Sequence, residues 1–441
     1  MSTVANVVAA LQGLLGGLAD RAAKETGVIQ RVRKFTARTL ARTMICGFLQ
    51  KPGASDEDLA QIAAQCGVEI TTQGVADRFT PRPESFLETL ARKAMVCVVE
   101  SNQVLAPLLE RFTEVRIIDS STTTLPESQE QQFPGCGGSY GSGKAAIKLQ
   151  TELDLRSGRL YVQPEAGRSP DNASSRQQAE LPAGSLRIAD LGYFDTEVFE
   201  NYAQQNVFWL SRLQFGTHVF HANGTPLPLL KWLNQQTQPL IDISILLSAG
   251  RRLPCRLVAW RVPEEVANRR RQKLRDECQR KRGRWPTEER LAWCDWMILV
   301  TNVPTDLLTP AEMGVLYRAR WQIELLFKRW KSQGLLAKLE GSTDTRQMIR
   351  FWSRLIAVLV QHWLLVASVW GNPRTSLSKA CEAIRPMVTL LIASLDRVED
   401  LTNALETLRR TLCSTSRQNK RKHPSTVELL NDPSLLTWGL A

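Results

Sequence analysis

Histidine is scarce, four in 441 residues, and the nine cysteines are scattered without a single Cys-x-x-Cys pair. This excludes a zinc site built on close ligand pairs and leaves no disulfide framework, so the chain reads as cytosolic and reduced. Long apolar runs free of polar groups are also missing. Phe351 to Trp370 contains Arg354, Gln361 and His362, which makes it a buried helix rather than a membrane span. The mildly apolar Val4 to Leu18 lacks a basic stretch before it and runs into Asp20 and Arg21, which argues against a signal peptide. Acidic residues are the minority charge, 44 against 56 Lys and Arg, giving a net charge of +12 and a pI near 9.4. A balance that basic favours a polyanionic partner.

With 43% hydrophobic residues the chain can bury two or more cores. Its basic charge is concentrated. Residues 269 to 284 carry nine basic and two acidic side chains, beginning with Arg269, Arg270 and Arg271, and a second cluster runs from Arg417 to Lys422. Each is either a solvated segment or a grip on phosphates.

The first eighty or so residues read as helices. Residues 59 to 79 place one helix up to Cys66, a turn at Gly67 and a second helix from Thr72, carrying Val75 and Phe79 on one side. This is similar to a helix-turn-helix, and equally to an ordinary helical hairpin. A long helical segment follows from Pro83 to Phe112. Then the period changes to that of strands. Val115 to Ile118 ends at Asp119 before a Ser/Thr run. Ile147 to Leu155 alternates apolar and polar and turns at Ser157 and Gly158 into Leu160 to Val162, a β-hairpin. Leu186 to Ala189 ends at Asp190. Two buried strands thus end in aspartates, which could hold a metal or simply make turns. Further strand-like pieces are Val207 to Leu213, Ile241 to Leu247, Leu257 to Val262 and Trp296 to Val300. Helices Ala380 to Leu395 and Val398 to Leu412 close the chain.

Between these lies YRARWQIELLFKRWK, residues 317 to 331. On one helix, Tyr317, Arg320, Glu324, Lys328 and Lys331 fall within roughly 80° of arc, opposite Ala319, Ile323, Leu326 and Trp330. One carboxylate framed by cations suits a metal and substrate phosphates; a solvated amphipathic face would look alike. The spacing Tyr, two residues, Arg, three residues, Glu, six residues, Lys resembles the signature of the DDE transposases of bacterial insertion sequences, in the family with a β-rich insertion.

That resemblance covers roughly residues 110 to 370 and implies an α/β fold, a ribonuclease-H-like mixed-sheet core interrupted by a β-rich insertion, with helical N- and C-terminal regions. The implied domains are a helical DNA-binding region (1–82), the first part of the core (83–214), the insertion with its basic segment (215–308), the second part of the core (309–372) and a helical region serving dimerisation (373–441). Asp119 matches the first acid, Asp190 with Gly192 and Phe194 the second, and Glu324 the third. Asp171 and Asp195 compete as second acid, but Asp171 lies in a loop-like GRSPDNAS and Asp195 has no apolar run before it. The acids would hold two Mg²⁺ ions, with Mn²⁺ as a substitute. Tyr317, Arg320, Trp321, Lys328 and Lys331 would contact DNA, joined by Arg269, Arg270 and Arg271 on the phosphate backbone. Trp285 and Trp293 are further stacking candidates, or core.

The implied activity is cut-and-paste transposition by metal-dependent cleavage and 3′-hydroxyl strand transfer. The implied partners are double-stranded DNA of transposon ends and target, and a second copy in a homodimer, with no membrane, in the bacterial cytoplasm at the nucleoid. A tyrosine recombinase using Tyr317 needs an His-x-x-Arg motif, and none of His218, His221, His362 or His423 has an arginine three residues on. A DNA-binding relic and a structure-specific nuclease on the same fold are the remaining alternatives.

Overall fold

A computed structural model describes residues 3–31, 34–137, 143–334, 336, 339, 341–419 and 423–436. The fold is mixed α/β, with strands β1 (Val115–Thr124), β2 (Ala146–Asp154), β3 (Leu160–Ala166), β4 (Leu186–Ala189), β5 (Phe208–Arg212), β6 (Val219–His221), β7 (Pro226–Leu227), β8 (Leu240–Leu247), β9 (Leu253–Arg261) and β10 (Trp296–Thr301). This is the architecture expected of a ribonuclease-H-like core with helical flanks. The chain forms two compact units: residues 1–105, 120–169 and 322–420 make the first, and residues 106–119, 170–321 and 421–441 the second.

In the first unit the organising element is the helix Asp344–Val369, capped by the Thr343 hydroxyl on the Arg346 N–H. Helices Pro81–Met95, Ala37–Gln50 and Val398–Thr415 pack against it. Phe351, Trp352, Leu355 and Ile356 are fully buried, each stabilising by on the order of 2–3 kcal/mol. This helix and Thr3–Thr26 are long and apolar enough to cross a membrane. A core helix meets the same description, and Asp344–Val369 is buried along nearly all its length. The sheet of this unit runs β3-β2-β1. Its turn holds Gly158 at φ +75°, where a Cβ would strike Trp370, and the His362 imidazole hydrogen-bonds the Gly158 carbonyl at 2.7 Å.

In the second unit the strand order is β1-β4-β5-β10-β9-β8-β6-β7. β1, β4 and β5 are parallel; β10, β9 and β8 continue antiparallel, so strands of the long interval after Asp190 extend one sheet. The helix Thr196–Gln204 covers Trp209, which stacks on Phe199 at 4.2 Å.

Four local expectations are corrected. β1 does not end at Asp119 but runs through the Ser/Thr stretch to Thr124, with Ser121 and Thr123 buried and Thr122 and Thr124 exposed, because threonine suits a half-buried strand. The helix Pro81–Met95 stops before a β-branched stretch, and Pro107 starts a separate short helix, Pro107–Glu110. Pro386 breaks the expected Ala380–Leu395 helix into Leu377–Ile384 and Val388–Ser394 around a 3₁₀ turn. The polar face of β2 is also covered: Gln150, Glu152 and Asp154 are buried. The Asp154 carboxylate closes the hairpin by accepting the N–H groups of Arg156 and Ser157 at 3.1 and 3.0 Å.

Candidate active site

Three parallel strands set the floor of the site. Ile118 pairs with Ala189 and Ile188 with Leu210. Carried one and two residues on, the same registers align Asp119, Asp190 and Arg212 side by side, facing one side of the sheet because side chains alternate with period two. The register thus puts two carboxylate residues and a guanidinium residue at neighbouring positions at one end of the parallel strands. Asp190 leads into a 3₁₀ turn, Leu191–Tyr193, its carbonyl accepting the Tyr193 N–H at 3.0 Å. Of the competing acids, Asp195 caps the helix Thr196–Gln204 by accepting the Glu197 N–H at 2.8 Å. Asp171 heads a separate 3₁₀ turn packed against Gly192.

The helix Pro310–Ala319 delivers Tyr317 and Arg320. Its start is fixed by a capping box between Thr309 and Glu312. Arg320 lies 3.7 Å from Asp119, both side chains mostly buried, and its guanidinium carbon is 5.9 Å from the Tyr317 ring centre. Burial pushes the Tyr317 phenol up to about 12; Arg212 and Arg320 oppose this and Asp190 adds to it. The signature does not sit on one unbroken helix as expected. Arg320 separates Pro310–Ala319 from Trp321–Ser332, and its N–H turns back to Tyr317 in a 3₁₀-type bond of 3.2 Å.

The second helix, from Gln322 onward, belongs to the first unit. It buries Ile323, Leu326, Phe327 and Trp330, holds Glu324 half-buried, and exposes Lys328 and Lys331. The apolar face is the one expected from the sequence. Trp321 is 53% exposed, a large aromatic surface in water.

The basic segment forms the helix Glu264–Arg282. Its three leading arginines do different things. Arg269 is exposed. Arg270 donates to the Trp296 carbonyl at 3.3 Å, and burial, with Arg212 nearby, lowers its pKa to about 10. Arg271 is ion-paired with Asp295 and donates to Asn268 at 2.6 Å. Trp285, just beyond the helix, is 70% exposed. The Arg417–Lys422 cluster reaches outside the described residues at 420–422.

Arg212 escaped the sequence reading. The signal is in the chain: the strand Phe208–Arg212 ends in a cation at the level where β1 and β4 present acids.

Residues 110–360 match the family described as the transposase DDE domain, more than half of the chain. The chain belongs to that family. It is also 28% identical to the transposase of insertion sequence element IS231D from Bacillus thuringiensis subsp. finitimus over 79% of this chain and 77% of the relative. The IS231F transposase of B. thuringiensis subsp. israelensis is 26% identical over 92% and 91%, and that of IS1151 from Clostridium perfringens 24% over 79% and 78%. This DDE transposase therefore acts on DNA in the bacterial cytoplasm, by cleavage and strand transfer, and depends on a divalent metal. The transposase offers donors of a fitting kind: Asp119 and Asp190 carry hard carboxylate oxygens, the donor type that divalent cations take together with substrate phosphates and water. Among the described residues no group of three or more His, Cys, Asp or Glu is gathered so that it could hold a metal ion.

Proposed function

We propose that this transposase excises and inserts its own element by a cut-and-paste route, with Asp119, Asp190 and Glu324 as the acids that hold two Mg²⁺ ions, replaceable by Mn²⁺. The observation that carries the reading is the Asp119–Asp190 pair at the edge of the β1–β4 ladder, faced by Arg320. Glu324, four residues after Arg320 in the chain, is the third acid by its place in the signature. When bound, the divalent cations supply Lewis acidity toward water, the 3′-hydroxyl and the phosphodiester.

The protein's own groups do the rest. Arg320 and Arg212 hold phosphate oxygens beside the carboxylates and offset the charge that develops on them. Tyr317, kept protonated by its burial, donates a hydrogen bond and fixes the strand. Lys328 and Lys331 follow the backbone, and Trp321 stacks on a base. Arg269 and the exposed cations of its helix grip phosphates without reading sequence. The N-terminal helices, with Asp56–Gln65 and Thr72–Ala76 as a helix-turn-helix-like pair, bind the element's end repeats. The C-terminal helices support a homodimer that brings two ends together at the nucleoid.

The test is cleavage and joining of DNA carrying the element's ends, with and without Mg²⁺, comparing wild type with Glu324→Gln. Loss of both products with binding retained supports the reading. Metal-independent cutting, or binding without cutting in the wild type, overturns it.

A further inference from the structure

The helix carrying Tyr317 and Arg320 is held at its start by an arginine from far away in the chain. Arg256 lies on β9, its side chain 7% exposed. Its Nε and Nη2 make a two-pronged pair with Asp242 of β8 at 2.7 and 2.6 Å, and its Nη1 donates to the Leu308 carbonyl at 2.6 Å. Leu308 is fully buried and immediately precedes Thr309, the cap of Pro310–Ala319. Its carbonyl lies outside the helix ladder, so it requires a donor from elsewhere. Arg111 completes the grip, donating to the Leu307 carbonyl at 2.9 Å and to Glu312 at 2.7 Å.

Arg256 is buried while its partner Asp242 reaches water, and a partly buried ion pair of this kind is poor at adding stability. What it provides is geometry, because only a planar guanidinium can serve a carboxylate and a carbonyl together in fixed directions. We propose that Arg256 is a positioning residue: it couples strands β8 and β9 of the inserted segment to the first turn of the Tyr317–Arg320 helix and thereby sets where those two side chains stand over Asp119 and Asp190. Phosphate contacts made by the inserted segment are then felt at the catalytic helix. This rests on the proposed role of Tyr317 and Arg320.

The experiment separates position from stability. Arg256→Met takes the donor from the buried Leu308 carbonyl and the partner from Asp242, and destabilises; Arg256→Met with Asp242→Leu removes both charges and recovers part of the melting temperature. In the double variant, hydrogen exchange of the amides in 313–319 is faster by at least about tenfold than in wild type, and single-turnover cleavage is slower by at least about tenfold with end binding unchanged. Arg256→Lys keeps a charge against Asp242 without the fork and shows the same pattern even if the double variant folds poorly. Wild-type exchange in 313–319 in either variant overturns the coupling, as does cleavage that recovers in step with stability. Exchange decides the matter even if the wild type fails to cut, a result that removes the functional reading alone.

Discussion

Asp119 and Asp190 stand one residue beyond Ile118 and Ala189, which pair in register on neighbouring parallel strands. Two carboxylates in such a position repel each other unless a cation lies between them or beside them. Arg320, 3.7 Å from Asp119, is one such cation. Asp119→Asn and Asp190→Asn each lower cleavage by on the order of 10²-fold or more while leaving affinity for end DNA unchanged, as measured by single-turnover cutting alongside a binding titration.

Arg212 should matter to chemistry more than to affinity. Arg212→Ala slows cleavage by about 10- to 100-fold, and Arg212→Lys recovers part of the loss, because charge is retained without the fork. Unchanged cleavage in Arg212→Ala rules out its phosphate role.

The three leading arginines of the basic helix separate by assay. Arg269→Ala reduces the slope of log affinity against log salt by about 1. Arg271→Ala lowers the melting temperature instead, because its partner Asp295 is left unpaired.

Tyr317 gives an alkaline signature. Its folded pKa of about 12 lies above the ordinary 10, so its stabilising effect is complete below pH of about 10 and disappears as pH rises toward 12. The effect amounts to on the order of 2–3 kcal/mol. Thermal unfolding of Tyr317→Phe loses less stability between pH 10 and about 12, the interval between these two values, than the wild type does.

His362 gives the opposite sign. Burial lowers its pKa from 6.5 to about 4, so its contribution is present above 6.5 and fades as pH falls toward 4. His362→Gln flattens that acid limb in a melting-temperature profile. Gly158→Ala destabilises at every pH by about 1–3 kcal/mol, since φ +75° and the Trp370 ring both oppose a Cβ.

Much of this was legible in the chain, and the failures have physical causes. Ile323, Leu326 and Trp330 announced their buried face by helical spacing, and Leu186 to Ala189 announced a buried strand by apolarity. The continuation of β1 past Asp119 was hidden because Ser and Thr also mark turns, and only tertiary covering shows that Ser121 and Thr123 point inward. The break at Arg320 leaves no mark because its backbone stays near helical, φ −50° and ψ −34°. Arg256 could not be found at all: its partners Asp242 and Leu308 are 14 and 52 residues away, and no local pattern carries such a tie.

The central claim is that Asp119 and Asp190 are metal ligands, and replacing each by cysteine tests it most directly. A thiolate is a soft donor that binds Mg²⁺ poorly and Mn²⁺ better. With folding confirmed, Asp119→Cys and Asp190→Cys are expected to be inactive in Mg²⁺ and to regain cleavage in Mn²⁺. Full activity in Mg²⁺, or equal loss in both metals, contradicts the account.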